Sequence, residues 1–274
     1  MTPDAVLGGL RGVIEAGGPI VAAGVGSGLT AAGAALGGAH LIAAYSTAVY
    51  RCRGLPSVLS FLPYDDANAL AFAIAGDVVE QARGRPVILG IGAHDPRRPL
   101  ESLLDRVEEV GAAGVMNEPF LGMYSAEIRA DLEEAGLGFG RELALIERAA
   151  ARGLIGFGWA FSPADAQALV RSGAHLIGAM LGPSRSGTGT LDAAVSAADA
   201  IAEAALAANP GVIVVAHGGP LTLPDVVRIF LGRSRCHGYA TGSSAERSPV
   251  IQSVAQTIRD FARPLAEKRR GSDT

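Results

Sequence analysis

Eight short apolar runs recur along the 274 residues, at 19–25, 40–45, 86–91, 113–118, 154–160, 175–180, 212–217 and 238–242. Each is followed by a segment with helical spacing. In the third such segment Leu100, Leu103, Leu104, Val107 and Val110 share one helix face. In the last, Ile251, Val254, Ile258, Phe261 and Leu265 do the same. Glycines precede several runs, as in "LGGAH" at 36–40 and "RSGAH" at 171–175, where a helix C-terminus needs one.

Eight strand–helix units in a chain of this length predict an α/β fold, a single closed (β/α)8 TIM barrel of about 250 residues. The runs are apolar throughout because parallel strands are covered on both faces. An open doubly wound sheet is the alternative. It would carry a dinucleotide fingerprint after the first strand, and "GVGSGL" at 24–29 lacks the third glycine. The reading is one domain over 1–274, with an extra N-terminal helix within about 1–18 and a disordered tail at about 266–274. That helix either closes the barrel bottom or packs on a partner. The long connections at 46–68 and 119–140 fall on the C-terminal face, where barrels build active sites.

Composition excludes several classes. The net charge of −4 gives no basis for binding nucleic acid or an anionic membrane. Residues 16–50 carry no charge, but Gly, Ala and Pro19 suit a buried strand–helix–strand unit better than a membrane span. No targeting segment is read, and a cytoplasmic location is expected with Cys52 and Cys236 as reduced thiols. The sole lysine is Lys268, in the tail. Schiff-base chemistry and a covalently held pyridoxal phosphate both need a desolvated lysine, so neither is expected.

Polar residues gather just after the strands. "VVAHGGP" at 214–220 ends a β-branched run in His217, Gly218 and Gly219. "TGSSAER" follows the eighth run with Gly242, Ser243, Ser244, Glu246 and Arg247. Loops seven and eight commonly form an anion site in barrels. Gly218 and Gly219 would bring backbone N–H groups to a phosphate or carboxylate, and Ser243 and Ser244 would add hydroxyls. Ser243 and Ser244 also read as a plain helix cap. His217 reads as a general acid or base, or as a histidine satisfied by a carbonyl. Asp66, Asp95 and Glu118 come from three loops of one face and suit Mg2+ or another divalent cation. Asp66 and Asp95 equally suit helix and turn caps.

Together "GVGSGLTAAGAALGGAHLIAAY", "LPYDDANAL", "LEEAGLGFGRELALI", "NPGVIVVAHGGP" and "GSSAERSP" resemble the phosphoenolpyruvate hydrolase-like TIM-barrel family. The resemblance runs from about Pro19 to Ile258. It extends to the C-terminal barrel of plant virus-resistance proteins and their microbial relatives, where a separate region precedes it. It carries family positions onto Gly24, Gly26, Tyr45, Arg51, Asp66, Asn68, Asp95, Asn117, Glu142, His217 and Arg247. The chain departs from the pattern at Ser46, Asp65, Gly92, Glu118 and Ala179, which marks a divergent member.

The resemblance implies an enzyme for a small anionic substrate of the enolpyruvate or 2-oxo-acid kind. The reaction would be hydrolysis, or C–C cleavage or formation through an enolate without a Schiff base. His217, Asn117, Arg51 and Glu142 are the catalytic candidates. Gly26, Tyr45, Gly218, Gly219, Gly242, Ser243, Ser244 and Arg247 would bind the anion. Glu142 also reads as a charge favouring a helix start. Two alternatives stay open: a non-catalytic ligand-binding or regulatory module, and a flavin in the barrel mouth. A homo-oligomer is expected.

Overall fold

The computed structural model describes residues 1–182 and 189–263. Lys268, Leu265 and the tail at 266–274 lie outside the described residues.

The strands are β1 (Ile20–Val25), β2 (Leu41–Ala44), β3 (Val87–Gly90), β4 (Gly114–Met116), β5 (Ile155–Ala160), β6 (Leu176–Met180), β7 (Ile213–His217) and β8 (Gly238–Thr241). All pair in parallel, and β8 returns to β1, so the sheet closes in the order of the sequence. The (β/α)8 barrel is present as the rhythm predicts. The helices up to β4 are α1 (Pro3–Glu15), α2 (Gly28–Leu36), α3 (Ser46–Cys52), α4 (Ala67–Gln81) and α5 (Leu100–Glu109). They continue with α6 (Ala126–Glu134), α7 (Phe139–Ala151), α8 (Pro163–Arg171), α9 (Leu191–Ala208), α10 (Pro224–Leu231) and α11 (Arg247–Phe261).

The period-2 alternation of a strand splits each apolar run between two cores. Ile20, Leu41, Ile88, Ile155, Leu176 and Ile213 join the cluster that fills the barrel, with Phe157 and Val215 above them. Ile42, Leu89, Val115, Ile177 and Val214 belong to the second cluster, between sheet and helices. Val6, Leu7 and Leu10 of α1 join the inner cluster. The N-terminal helix therefore closes the barrel end, one of the two roles read for it.

The apolar stripe of α11 does not pack on the barrel, and no residue of α11 is buried. Ile251, Val254, Ile258 and Phe261 are 60%, 58%, 61% and 83% exposed. The outer faces of β8 and β1, where a helix following β8 would lie, border an open groove of about 840 Å³. Val21, Val227, Leu231, Cys236 and Tyr239 line it.

Candidate active site at the barrel mouth

The C-terminal strand ends open onto a pocket of about 400 Å³. Tyr45, Thr47, Arg51, Glu118, His217, Ser243 and Arg247 supply its polar groups; Phe61, Phe120, Met123, Trp159 and Met180 supply an apolar wall. Small residues leave room for the large ones. A Cβ at Gly90 would stand 2.4 Å from the Tyr45 Cβ and 3.0 Å from Glu118 Oε2, so these two side chains share the space over Gly90.

Glu118 follows β4 and is only 3% exposed. Its Oε1 accepts a hydrogen bond from Thr47 Oγ1. Its Oε2 has no hydrogen-bond partner. Desolvation disfavours the carboxylate and pushes its pKa up to about 7, against the pull of Thr47 and Arg51. A buried carboxyl poised near neutrality, with one oxygen unused, can give or take a proton.

His217 closes β7. Its Nδ1 lies 2.7 Å from the Ala240 carbonyl, which can only accept, so Nδ1 carries the proton and Nε2 is left as an acceptor. Burial lowers its pKa below 6.5, and Arg51 adds to the effect despite the Ala240 bond. The ring lies edge-on to Trp159 at 5.6 Å and stacks on Tyr239 at 6.2 Å. The Ala240 carbonyl satisfies one ring nitrogen and fixes the tautomer, as one of the two readings expected, and leaves the other nitrogen unused.

Arg51, in α3, is 4% exposed. Its Nε meets Glu246 Oε2 at 2.7 Å, and its NH2 donates to the Tyr45 hydroxyl at 3.2 Å. A Cβ at Gly242 would lie 3.2 Å from His217 Cε1 and 3.8 Å from Arg51 NH1, so both groups flank Gly242. The turn after β1 does hold an anion, but an internal one. Gly26 N–H donates to Glu246 Oε1 at 2.6 Å, joined by Thr30 Oγ1 at 3.2 Å and Cys52 Sγ at 3.2 Å. A Cβ at Gly26 would stand 2.1 Å from the Ala48 carbonyl, so only glycine lets the turn seat against α3. Gly26 therefore braces Arg51 through Glu246 and offers no free donor to a ligand.

Other expected residues are placed away from the pocket. Asn117 Oδ1 accepts from Trp159 N at 2.7 Å, and its Nδ2 donates to Glu142 Oε2. Glu142 Oε1 accepts from Leu121 N at 2.8 Å and stands 3.4 Å from His94 Nε2. Both side chains are engaged within the segment that carries Glu118, and neither lines the pocket. Gly218 and Gly219 have φ of 91° and 54°. They fold against the loop after β6: Gly219 N–H donates to the Gly182 carbonyl at 3.2 Å, and a Cβ at Gly218 would lie 2.0 Å from that oxygen. The Gly219 N–H, one of the donors expected for the two-loop anion cradle, is thus spent within the chain. Ser244 faces the outer groove beside Tyr239, while Ser243 stays in the pocket. Arg247 stands at the pocket edge with NH1 3.3 Å from the Leu55 carbonyl.

The expected cation ligands are not brought together. Asp66 caps α4 through Ala69 N at 2.9 Å and pairs with Arg98 and Arg97. The Arg98 hydrogen bond holds its carboxyl at about 2. Asp95 pairs with Arg97 and Arg98 and accepts from Asn68 Nδ2 at 3.3 Å. Among the described residues no three His, Cys, Asp or Glu side chains are grouped to hold a metal ion.

A family profile described as phosphoenolpyruvate hydrolase-like matches residues 5–263. The chain belongs to the phosphoenolpyruvate hydrolase-like family. Among relatives of this family member, the ToMV susceptible protein tm-1(GCR26) of Solanum lycopersicum is 36% identical over 92% of the chain and 34% of that protein. A putative transcriptional regulatory protein, y4pA, of Sinorhizobium fredii is 31% identical over 88% of the chain and 41% of that protein. The chain thus spans a third to two fifths of these relatives. Among solved structures, a phosphonopyruvate hydrolase complex with oxalate and Mg++ superposes with a TM-score of 0.61 at 16% identity, covering 97% of this chain and 93% of that one. An oxaloacetate acetylhydrolase with 3,3-difluorooxalacetate gives 0.62 at 15% identity, covering 96% and 88%. At such identities the likeness establishes the barrel fold.

Sequence reading missed Thr47, the buried-acid character of Glu118, and the wall of Phe61, Phe120 and Met123. Their shared signal is position: all lie in or beside the two long connections.

Proposed function

We propose that the barrel is an enzyme that moves a proton on carbon next to the carbonyl of a 2-oxo acid, forming an enolate on the way to C–C cleavage, C–C formation or hydrolysis. The observation that carries this is the convergence of a neutral His217 Nε2, an unpartnered Glu118 Oε2 and Arg51 NH1 on one pocket. The substrate carboxylate meets Arg51 NH1 and Ser243. His217 Nε2 takes the proton from C3, the C3–H electron pair moves into the C2–C3 bond, and charge develops on the C2 oxygen. Tyr45 accepts from Arg51, so its own hydroxyl proton is free to face that oxygen, and protonated Glu118 delivers a proton to it.

The solved neighbour described with Mg++ raises a metal as an alternative source of enolate stabilisation. The carboxylates here do not fit that role, because Asp66 and Asp95 are clamped by arginines apart from Glu118. The reading therefore uses no metal. Turnover of a 2-oxo acid that survives exhaustive chelation is the expected result, and turnover that returns only with added Mg2+ contradicts this route.

The names of the curated relatives favour a second reading, a regulatory barrel that binds the same acids without converting them. Thermal-shift screening with 2-oxo acids, followed by product analysis, separates the two. Stabilisation with turnover supports the enzyme; stabilisation without turnover supports the module.

The expected homo-oligomer also acquires a surface. Among the described residues, the apolar stripe of α11 is exposed and the apolar groove beside β8 and β1 is open, and the groove lies where a helix after β8 belongs. A second copy supplying its α11 to that groove satisfies both. The double variant Ile251→Glu, Ile258→Glu should sediment as a monomer where the parent sediments as a dimer or larger. A parent that is already monomeric at micromolar concentration contradicts the arrangement.

A further inference from the structure

We infer that the acid taken by the mouth pocket is a monocarboxylate bearing an aryl-sized apolar substituent, seated against Phe120 and Trp159, rather than a small phosphorylated acid. This rests on the 2-oxo-acid reading above for its chemistry, but not for its shape.

The first ground is where the aromatic residues are. Aromatics make up 5% of the chain, and its only tryptophan is in this pocket. Phe120 sits at the centre of a connected wall. Its ring lies 5.7 Å from Phe61, 6.4 Å from Trp159 and 4.9 Å from Phe161. Tyr124 meets Phe61 edge-on at 6.4 Å. Phe61, Met123 and Met180 are only partly buried and form the open part of this wall, while Phe120 and Trp159 line the pocket from the edge of the inner core. Methionines beside aromatics adapt to a flat apolar guest. The rings offer faces and edges at the spacing that favours a further ring.

The second ground is volume. About 400 Å³ lies in the range of clefts that enclose drug-sized ligands, roughly 300–1,000 Å³. A three-carbon acid held at Arg51 would leave the aromatic half of the pocket wet, with its apolar surface unused.

The third ground is charge. A phosphoryl or phosphonyl dianion calls for several uncompensated donors. Here Arg51 is already paired with Glu246, the turn after β1 is filled by the same carboxylate, and the Gly219 N–H is bonded to Gly182. Among the described residues, the polar groups left at the pocket are one Arg51 nitrogen, the Arg247 guanidinium at its edge, the Ser243 and Tyr45 hydroxyls, and Thr241 Oγ1, which is buried without a partner. They are single donors set around the pocket, a set that suits a carboxylate and a carbonyl oxygen.

The test is a set of dissociation constants by isothermal titration in the presence of a chelator. The probes are 2-oxobutanoate, 2-oxo-4-phenylbutanoate, 4-phenylbutanoate and phosphonopyruvate. The added phenyl group is expected to tighten binding by about 10- to 100-fold over 2-oxobutanoate. Phosphonopyruvate is expected to bind no better than 2-oxobutanoate. Phe61→Ala and Phe120→Leu should erase the phenyl advantage, with an unchanged circular dichroism spectrum reporting that the variants are folded. Equal or weaker binding of the phenyl acid, or tightest binding of phosphonopyruvate, overturns the inference even if 2-oxo acids are turned over. Tight binding of 4-phenylbutanoate with no conversion of any 2-oxo acid supports the inference while overturning the chemistry. No binding of any probe overturns both.

Discussion

Glu246→Ala is expected to lower the unfolding free energy by about 3–5 kcal/mol, the range for breaking one side of a buried ion pair. The loss is large because four groups contact that carboxylate, Cys52 Sγ among them. Arg51, 4% exposed, is left as a buried charge without its counter-ion. Gly26 N–H and the Thr30 hydroxyl lose their acceptor. Glu246→Gln keeps an oxygen for Gly26 and should recover part of the loss. Urea denaturation followed by circular dichroism measures both. A change under about 1 kcal/mol for the alanine variant would mean that Arg51 finds water or another partner, and that the internal anion does not organise the mouth.

His217→Ala is expected to reduce kcat by about 10²- to 10⁴-fold, the usual contribution of a positioned general base, with KM nearly unchanged because Arg51 and the apolar wall remain. The pH profile carries the sharper information. Burial lowers the His217 pKa below 6.5, so the ring becomes a competent base as pH rises through that lowered value. Burial raises Glu118 to about 7, so the protonated acid is lost as pH rises through about 7. The product of the two gives a bell for kcat/KM with its alkaline limb near 7. Glu118→Gln cannot titrate, so its residual activity should lack that limb. Persistence of the limb in Glu118→Gln would assign it to another group.

Much of the fold was legible because it is written in periodicity. Eight apolar runs, each long enough to be covered on both faces, leave a closed parallel barrel as the economical solution, and the strand ends then locate the mouth. His217 was readable for the same reason: it is the residue on which β7 stops. What could not be read is how polar groups are shared out within the mouth. Gly26, Gly218 and Gly219 look like open donors in sequence, yet Glu246, 220 positions from Gly26, fills the first site, and the Gly182 carbonyl takes the Gly219 N–H. Asp66 and Asp95 look like metal ligands until Arg97 and Arg98, a few residues beyond Asp95, turn back to claim them. Glu118 carries no local mark of its burial, because the desolvation comes from β2, α3 and the aromatic loop packing over it. The stripe on α11 was visible as a periodicity, but its direction depends on packing that sequence spacing does not encode.

The most direct measurement of the central claim is exchange of the C3 protons of 2-oxo-4-phenylbutanoate in D2O, followed by proton NMR with chelator present. Wild-type protein is expected to speed the loss of the C3 signal well above the buffer rate, with His217→Ala at least about 100-fold slower. Exchange at the buffer rate with the wild-type protein saturated by the acid, or equal exchange in wild type and His217→Ala, would contradict the assignment of this pocket as an acid–base site.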